Sequence, residues 1–164
     1  MSDSVVIVAA RRTPIGAFQG VLTGATAPQL GAAAIAGALA SSGLAASDVQ
    51  EVIMGCVLPA GLGQAPARQA ALGAGLPQAV ATTTINKMCG SALKAIMMGV
   101  DQIRSGDAHT VIAGGLESMT NAPYLLPKAR AGYRMGHQTV YDHMFLDGLE
   151  DAYDKGRLMG TFAE

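Results

Sequence analysis

The chain has 164 residues, of which 50% are hydrophobic and only 14% are charged, with a formal net charge of −1. An ordinary domain carries about 25% charged residues. We therefore expect part of the apolar surface to be covered by a second subunit or by further sequence. The near-neutral charge and the lack of a basic face argue against a nucleic-acid binder. The cysteine spacing gives no indication of a metal site.

The two cysteines, Cys56 and Cys89, are arithmetically sufficient for one disulfide. No secretory signal precedes them, and the apolar run at residues 5–10 is too short to span a membrane. Free thiols in a cytoplasmic protein that has no membrane segment are therefore the predicted state.

Strand and helix signals alternate along the first part of the chain. Residues 5–10 are continuously apolar, which predicts a strand covered on both faces. Residues 27–41 predict a buried helix that ends at Gly43. The later predicted elements are a strand at 49–58, a helix at 66–72, a strand at 80–85, a helix at 88–104 and a strand at 111–115. This alternation predicts an α/β layered fold with a mainly parallel sheet.

The composition changes near residue 117. Residues 1–116 contain 11 charged residues and one aromatic residue, whereas residues 117–164 contain 12 charged residues and six aromatic residues. We interpret 1–116 as a core domain and 117–164 as part of a more exposed, loop-rich domain; a single domain with a polar tail is the alternative. Residues 161–164 have the pattern of a helix start, so we expect a truncated chain.

Cys89 lies where a predicted strand turns into a predicted helix. Unpaired backbone N–H groups and the positive end of the helix dipole favour a thiolate there, which is the reactive form of cysteine. Gly90 would let a substrate approach the backbone closely. A buried structural cysteine is the alternative, and it is our interpretation of Cys56, which lies in an apolar strand.

Four blocks of sequence resemble thiolases, the family of acetyl-CoA acetyltransferases and 3-ketoacyl-CoA thiolases. They are residues 11–18 (RRTPIGAF), 61–69 (GLGQAPARQ), 86–91 (NKMCGS) and 114–123 (GGLESMTNAP). The resemblance implies a thiolase-like layered fold: an N-terminal core domain with a mainly parallel mixed sheet, plus part of the loop domain. It covers roughly the first two-fifths of a thiolase.

The resemblance assigns Cys89 the role of acyl acceptor. Such a cysteine attacks an acyl-CoA and holds the acyl group as a thioester, for Claisen condensation or for thiolysis of 3-ketoacyl-CoA, reactions of fatty acid metabolism. Coenzyme A thioesters are then substrates, no cofactor is needed, and a homodimer or homotetramer is implied. The backbone N–H of Cys89 would help to hold an oxyanion.

The base that would activate Cys89 is not recognisable in this chain. Thiolases carry it in a Gly-His-Pro motif, and His109, His137 and His143 lie outside any such motif. We therefore expect residues 1–164 alone to be inactive, with one of these three histidines as the alternative base.

Three residues are candidates for contact with the coenzyme A substrate. Met119 and Met159 fall in blocks that border the substrate site of thiolases, although methionine is more often a core gap-filler. Leu158 stands where some biosynthetic thiolases have a histidine that touches coenzyme A.

Two further segments have alternative interpretations. Residues 61–66 (GLGQAP) nearly match a dinucleotide fingerprint, but Pro66 replaces the third glycine and the acidic partner is missing. In thiolases this loop lies near the subunit contact. Lys128, Arg130 and Arg134 form either a solvated loop or a cationic loop near a tetramer contact, which could also attract the phosphates of coenzyme A.

Two other functions remain open. The chain could be a non-catalytic truncated module that pairs with thiolase-like subunits, as its low charge content suggests. It could also belong to another condensing enzyme of the same fold, such as a ketoacyl synthase, although the block at 114–119 (GGLESM) argues against this.

Overall fold

A three-stranded parallel sheet forms the centre of the protein in the computed structural model, which describes residues 4–164. Its strands are β1 (Glu51–Gly55), β2 (Ala81–Ile85) and β3 (Val111–Gly115), in the order β2-β1-β3. Glu51 at the start of β1 is in register with Ala81 on one side and with Val111 on the other. The carboxyl ends of the three strands therefore meet at one edge.

Helices cover both faces of this sheet. They are α1 (Ala27–Ser42), α2 (Pro66–Gly73) and α3 (Ser91–Ser105). The chain crosses from β1 to β2 through α2 and returns over β1 to β3 through α3. Crossover connections between parallel strands are right-handed. Because the connection from β1 to β2 and the connection from β2 to β3 cross the sheet in opposite directions, α2 and α3 lie on opposite faces. Accordingly, α2 packs on β1 and β2, α3 packs on β1 and β3, and α1 packs on α2.

The middle strand β1 is buried on both faces. Val52 and Met54 belong to the hydrophobic core beneath α1 and α2. Ile53, which is fully buried, and Gly55 alternate with them and so face α3. The continuous apolar pattern of this strand is the one expected for a strand between two helical layers.

The two helices on one face begin in different ways. Thr26 and Gln29 form a reciprocal capping box at the start of α1. The residue before α2, Ala65, has a left-handed φ of 49° and offers no side-chain cap. Thr84 of β2 supplies the missing acceptor, because its Oγ1 accepts the N–H of Ala67 at 3.0 Å. The start of α2 is thus fixed by the adjacent strand.

The segment after residue 116 is irregular and largely exposed. Its regular elements are the antiparallel pair β4 (Tyr124–Leu125) and β5 (Tyr141–Asp142), a 3₁₀ turn at Ala129–Ala131, a π-helical turn at Phe145–Leu149 and the short helix α4 (Gly160–Ala163). A further 3₁₀ turn at Ala46–Asp48 precedes β1.

The predicted strand at residues 5–10 is wrong. The segment forms no regular secondary structure, and Val6, Ile7 and Val8 are 70%, 80% and 62% exposed. It lines a cavity of about 330 Å³ together with β3, α1 and α3. Without a hydrogen-bonded neighbour among residues 4–164, an apolar run cannot become a strand of a sheet. Residues 1–3 lie outside the described residues.

The other predicted elements exist, and three of them begin later than predicted: the strand predicted at 80–85 begins one residue later, at Ala81. The predicted strand at 49–58 is confined to β1, and the predicted helix at 88–104 begins three residues later, at Ser91. The α/β fold with a parallel sheet is confirmed. Among residues 4–164, no helix combines the length and apolar character needed to cross a membrane.

Candidate active site

Cys89 lies in the turn between β2 and α3, at the carboxyl edge of the sheet. β2 ends at Ile85 and α3 begins at Ser91, so the turn consists of residues 86–90. The Cys89 thiol is exposed, whereas Cys56, the other free cysteine, is buried. Only Cys89 is therefore open to a substrate in this structure.

The turn is fixed on both sides of Cys89. Met88 has a left-handed φ of 49°, a conformation that non-glycine residues adopt mainly in strained turns. Its N–H donates to Asn86 Oδ1 at 2.9 Å. The hydroxyl of Ser91, which is 5% exposed, accepts the N–H of Lys87 at 2.9 Å and donates to the carbonyl of Met88 at 2.6 Å. One buried serine thus ties the start of the helix to the start of the turn.

The backbone N–H groups in and beside this turn differ in their hydrogen bonds. Those of Lys87 and Met88 go to side chains. Those of Gly90 and Ser91 donate to the carbonyls of Lys87 and Met88. The N–H of Cys89 is not a donor in any of these bonds. An exposed thiol beside its own N–H, at the positive end of a 15-residue helix, can attack a carbonyl and stabilise the resulting oxyanion.

Two glycines allow the start of α3 to lie against the strand ends. A Cβ added at Gly55 would be 2.5 Å from Ser91 Cβ, and one added at Gly115 would be 3.1 Å from Ala92 Cβ. A side chain at Gly55 would therefore push the helix start, and with it the Cys89 turn, away from the sheet. This role of Gly55 was not predicted from the sequence, although a glycine at the end of an otherwise buried strand is a signal of close approach.

The half-buried Glu117 and the buried Cys56 form a polar pair at the same edge. The Glu117 carboxylate accepts the N–H groups of Val57 at 2.8 Å and of Leu58 at 3.0 Å, and the Cys56 thiol at 3.5 Å. Burial, and next the charge of Glu117, raise the pKa of Cys56 from 9.0 to about 12. Cys56 therefore stays a thiol and is not a nucleophile, in agreement with its predicted core position.

His143 is fully engaged in structural contacts. It is 5% exposed; its Nδ1 lies 2.6 Å from Asp147 Oδ2, and its Nε2 accepts the N–H of Ala60 at 3.3 Å. Because the Ala60 N–H needs an acceptor, the ring proton belongs on Nδ1. This arrangement leaves no ring nitrogen free to serve Cys89. His109 and His137 are exposed side chains in loops.

The three predicted substrate contacts are all on the surface. Met119 and Leu158 are 43% exposed and Met159 is 49% exposed. The N–H of Met159 donates to the carbonyl of Leu149 at 2.8 Å, which holds this pair on the π-helical turn. Their proximity to a substrate bound at Cys89 stays a prediction.

The polar groups in the described part of the chain do not assemble into a metal centre. No group of three or more His, Cys, Asp or Glu side chains within residues 4–164 is arranged to hold a metal ion. Lys128, Arg130 and Arg134 are exposed around the 3₁₀ turn at Ala129–Ala131.

The match to a family model decides the relationship of this chain to known proteins. Residues 5–164 match the model described as "Thiolase, N-terminal domain". The chain belongs to the thiolase family. The thiolase blocks recognised in the sequence all lie inside the matched range, so the resemblance is confirmed.

Several thiolase relatives are similar over essentially the whole chain. An acetyl-CoA acetyltransferase of Pseudomonas aeruginosa is 56% identical over 162 residues, 99% of this chain. An acetyl-CoA acetyltransferase of Saccharomyces cerevisiae is 54% identical over an alignment of 166 residues that covers 100% of this chain. One of Gibberella zeae, described as cytosolic, is 52% identical over 160 residues, 98% of this chain.

These relatives are much longer than the chain. It spans 41% of the Pseudomonas protein, 42% of the Saccharomyces protein and 40% of the Gibberella protein. The 164 residues thus correspond to the N-terminal two-fifths of each relative.

Proposed function

We propose that this chain is the N-terminal part of an acyl-CoA C-acyltransferase that carries the acyl group as a thioester on Cys89. The observation that carries the proposal is the exposed Cys89 thiol in a fixed turn at the start of α3, beside its own N–H. Membership of the thiolase family supports it, as do relatives named acetyl-CoA acetyltransferase.

The proposed chemistry has two steps. The Cys89 thiolate attacks the carbonyl carbon of an acyl-CoA, and the Cys89 N–H stabilises the tetrahedral oxyanion. The carbon–sulfur bond to coenzyme A then breaks, coenzyme A leaves as its thiolate and takes up a proton, and the acyl group remains on Cys89. In condensation, a second acyl-CoA, deprotonated at its α-carbon, attacks this thioester; the new carbon–carbon bond forms, the bond to sulfur breaks and Cys89 leaves as a thiolate. In thiolysis, the Cys89 thiolate instead attacks the 3-keto carbon of a 3-ketoacyl-CoA, the carbon–carbon bond breaks, and the released acetyl-CoA carbanion takes up a proton. Free coenzyme A then attacks the thioester, forms the shortened acyl-CoA and releases Cys89 as a thiolate.

The remaining parts of the proposal concern substrate, assembly and location. Met119, Leu158 and Met159 would contact coenzyme A, which is a substrate and not a bound cofactor. Residues 1–116 would form the core domain and residues 117–164 part of a loop domain. A homodimer or homotetramer in the cytoplasm is proposed, supported by the low charge content and by the relative described as cytosolic. The pathway would be fatty acid metabolism.

A single-turnover experiment tests the proposal. Residues 1–164 are incubated with acetyl-CoA, with and without imidazole as an external base, and the acetylated peptide is located by mass spectrometry. We expect acetylation of Cys89 and not of Cys56, faster with imidazole, and no steady turnover. Cys89→Ala should abolish this label, whereas Cys56→Ala should keep it. Steady turnover by residues 1–164 would show that the chain contains its own base.

A non-catalytic role in pairing with thiolase-like subunits is the second candidate. The apolar outer face of α3 favours it, since Leu93, Ile96 and Met97 are 64%, 40% and 51% exposed. Size-exclusion chromatography with light scattering, with and without subunits of the Pseudomonas relative, tests this candidate. A monomer that ignores added subunits and becomes acetylated on Cys89 would eliminate it.

A further inference from the structure

Glu117 makes contacts that the proposed chemistry does not use. It follows β3 by two residues, yet its carboxylate accepts the N–H groups of Val57 and Leu58 and the thiol of Cys56, all on the extension of β1. Three donors converge on the two oxygens, from residues about 60 positions earlier in the chain. A carboxylate is suited to this position because both of its oxygens can only accept.

The same extension of β1 supports the Cys89 turn. The N–H of Cys56 donates to the carbonyl of Ile85 at 2.9 Å. Ile85 is the last residue of β2, four positions before Cys89. Gly55, the residue before Cys56, lies against Ser91, where an added Cβ would be only 2.5 Å from Ser91 Cβ. Residues 55–56 therefore contact the two residues that flank the turn, Ile85 before it and Ser91 after it.

We propose that Glu117 is a positioning residue for acyl transfer: its carboxylate fixes residues 56–58, and these hold the Cys89 turn in the geometry that acyl transfer needs. The inference rests on the proposed function of Cys89. Glu117→Gln would replace one acceptor oxygen with an NH₂ group that faces the N–H of Val57 or Leu58. Two donors cannot pair, so this part of the β1 extension would shift.

The test compares two reactions of Cys89 in the same protein. Acetylation by acetyl-CoA requires an aligned oxyanion donor, whereas alkylation by iodoacetamide requires only an exposed thiolate. Both rates are measured by mass spectrometry for residues 1–164 and for Glu117→Gln. A displaced turn should slow acetylation by about tenfold or more, while alkylation should change by less than about twofold.

Glu51→Gln is the matched control. The Glu51 carboxylate also accepts one hydrogen bond, from Thr83 Oγ1 at 3.0 Å, but it lies at the opposite end of β1. Cys89 of this variant should be acetylated at the same rate as in the unmodified chain. Glu117→Asp keeps both oxygens on a shorter arm, so it should recover part of the acetylation rate. It also supplies the measurement if Glu117→Gln does not fold.

The outcomes separate the two proposals. A selective loss of acetylation in Glu117→Gln, with partial recovery in Glu117→Asp, supports the positioning role. Equal rates in all variants, or parallel losses of acetylation and alkylation that follow the folded fraction, would overturn it while leaving the role of Cys89 intact. If the unmodified chain does not acetylate on Cys89, the proposed function fails, and the positioning role fails with it.

Discussion

At the scale of single residues, two cysteines at neighbouring strand ends have opposite environments. Cys56 is 2% exposed and donates to Glu117, whereas Cys89 is exposed in a turn. Burial and the nearby carboxylate favour the neutral thiol of Cys56. The same fold thus protects one sulfur and presents the other.

The raised pKa of Cys56 predicts a loss of stability at alkaline pH. The thiol titrates near 9.0 when it is free and near 12 in the folded protein. A raised folded-state pKa contributes stability that is fully present below pH 9.0 and is lost as pH rises toward 12. We expect the free energy of unfolding, measured by urea denaturation, to fall across this window.

Substitution of Cys56 provides the comparison. Cys56→Ala should not show the part of the alkaline loss of stability that Cys56 causes. The difference in the free energy of unfolding between this variant and the unmodified chain should therefore become smaller as pH rises. A constant difference between Cys56→Ala and the unmodified chain across pH 9–12 would contradict the buried-thiol account.

Gly55→Ala should both destabilise the protein and disturb the Cys89 turn. The added Cβ would clash with Ser91, and overpacking of this kind costs about 1–3 kcal/mol. Acetylation of Cys89 should slow as well, because the helix start must move. Gly24→Ala is the control, since an added Cβ there meets nothing within 4 Å. Equal urea midpoints and equal acetylation rates for the two variants would refute this role of Gly55.

At the scale of secondary-structure elements, Thr84 joins β2 to the start of α2. Replacing it with valine keeps the shape but removes the acceptor for the Ala67 N–H. Loss of a helix cap costs about 1 kcal/mol, so Thr84→Val should lower the free energy of unfolding and speed amide exchange at Ala67. Thr84→Ser should restore the cap. Thr82→Val, on the same strand, should leave exchange at Ala67 unchanged, and faster exchange there would point to a general loosening of β2.

The sequence predicted elements whose signals are local and missed features that depend on distant partners. The run of small and apolar residues in α1 and the glycine after it are local signals, and that helix is confirmed. Residues 5–10 are apolar enough for a strand, but a strand also needs a neighbour, and these residues remain unpaired. The contact of Glu117 with Val57 has no local signal, and the glycine at the end of β1 indicates a close approach without identifying Ser91 as its partner, because each contact joins residues far apart in the chain.

At the scale of the whole molecule, the low charge content is matched by exposed apolar surface. The outer face of α3 and the segment at residues 5–10 expose large apolar side chains, among them Val6, Ile7 and Leu93. Exposed apolar area of this kind marks surfaces that associate with other protein. The composition therefore correctly indicated apolar surface without identifying what covers it.

This exposed surface predicts that residues 1–164 associate in solution. Light scattering should give a mass that rises with concentration, because apolar burial drives association. Replacing Leu93 and Met97, both on the outer face of α3, with glutamate should reduce the association. The matched control replaces the exposed Lys128 and Arg130 with glutamine, which makes the same change in net charge outside α3. A monomeric mass at every concentration would contradict the prediction.

The central claim is that Cys89 accepts an acyl group from an acyl-CoA. Its most direct test is the identification of an acetyl thioester after incubation with acetyl-CoA, by peptide mass spectrometry before and after treatment with neutral hydroxylamine or excess coenzyme A. The account predicts one acetyl group on Cys89, removed by either reagent and absent in Cys89→Ala. An unlabelled Cys89, or a label that persists in Cys89→Ala, would contradict it.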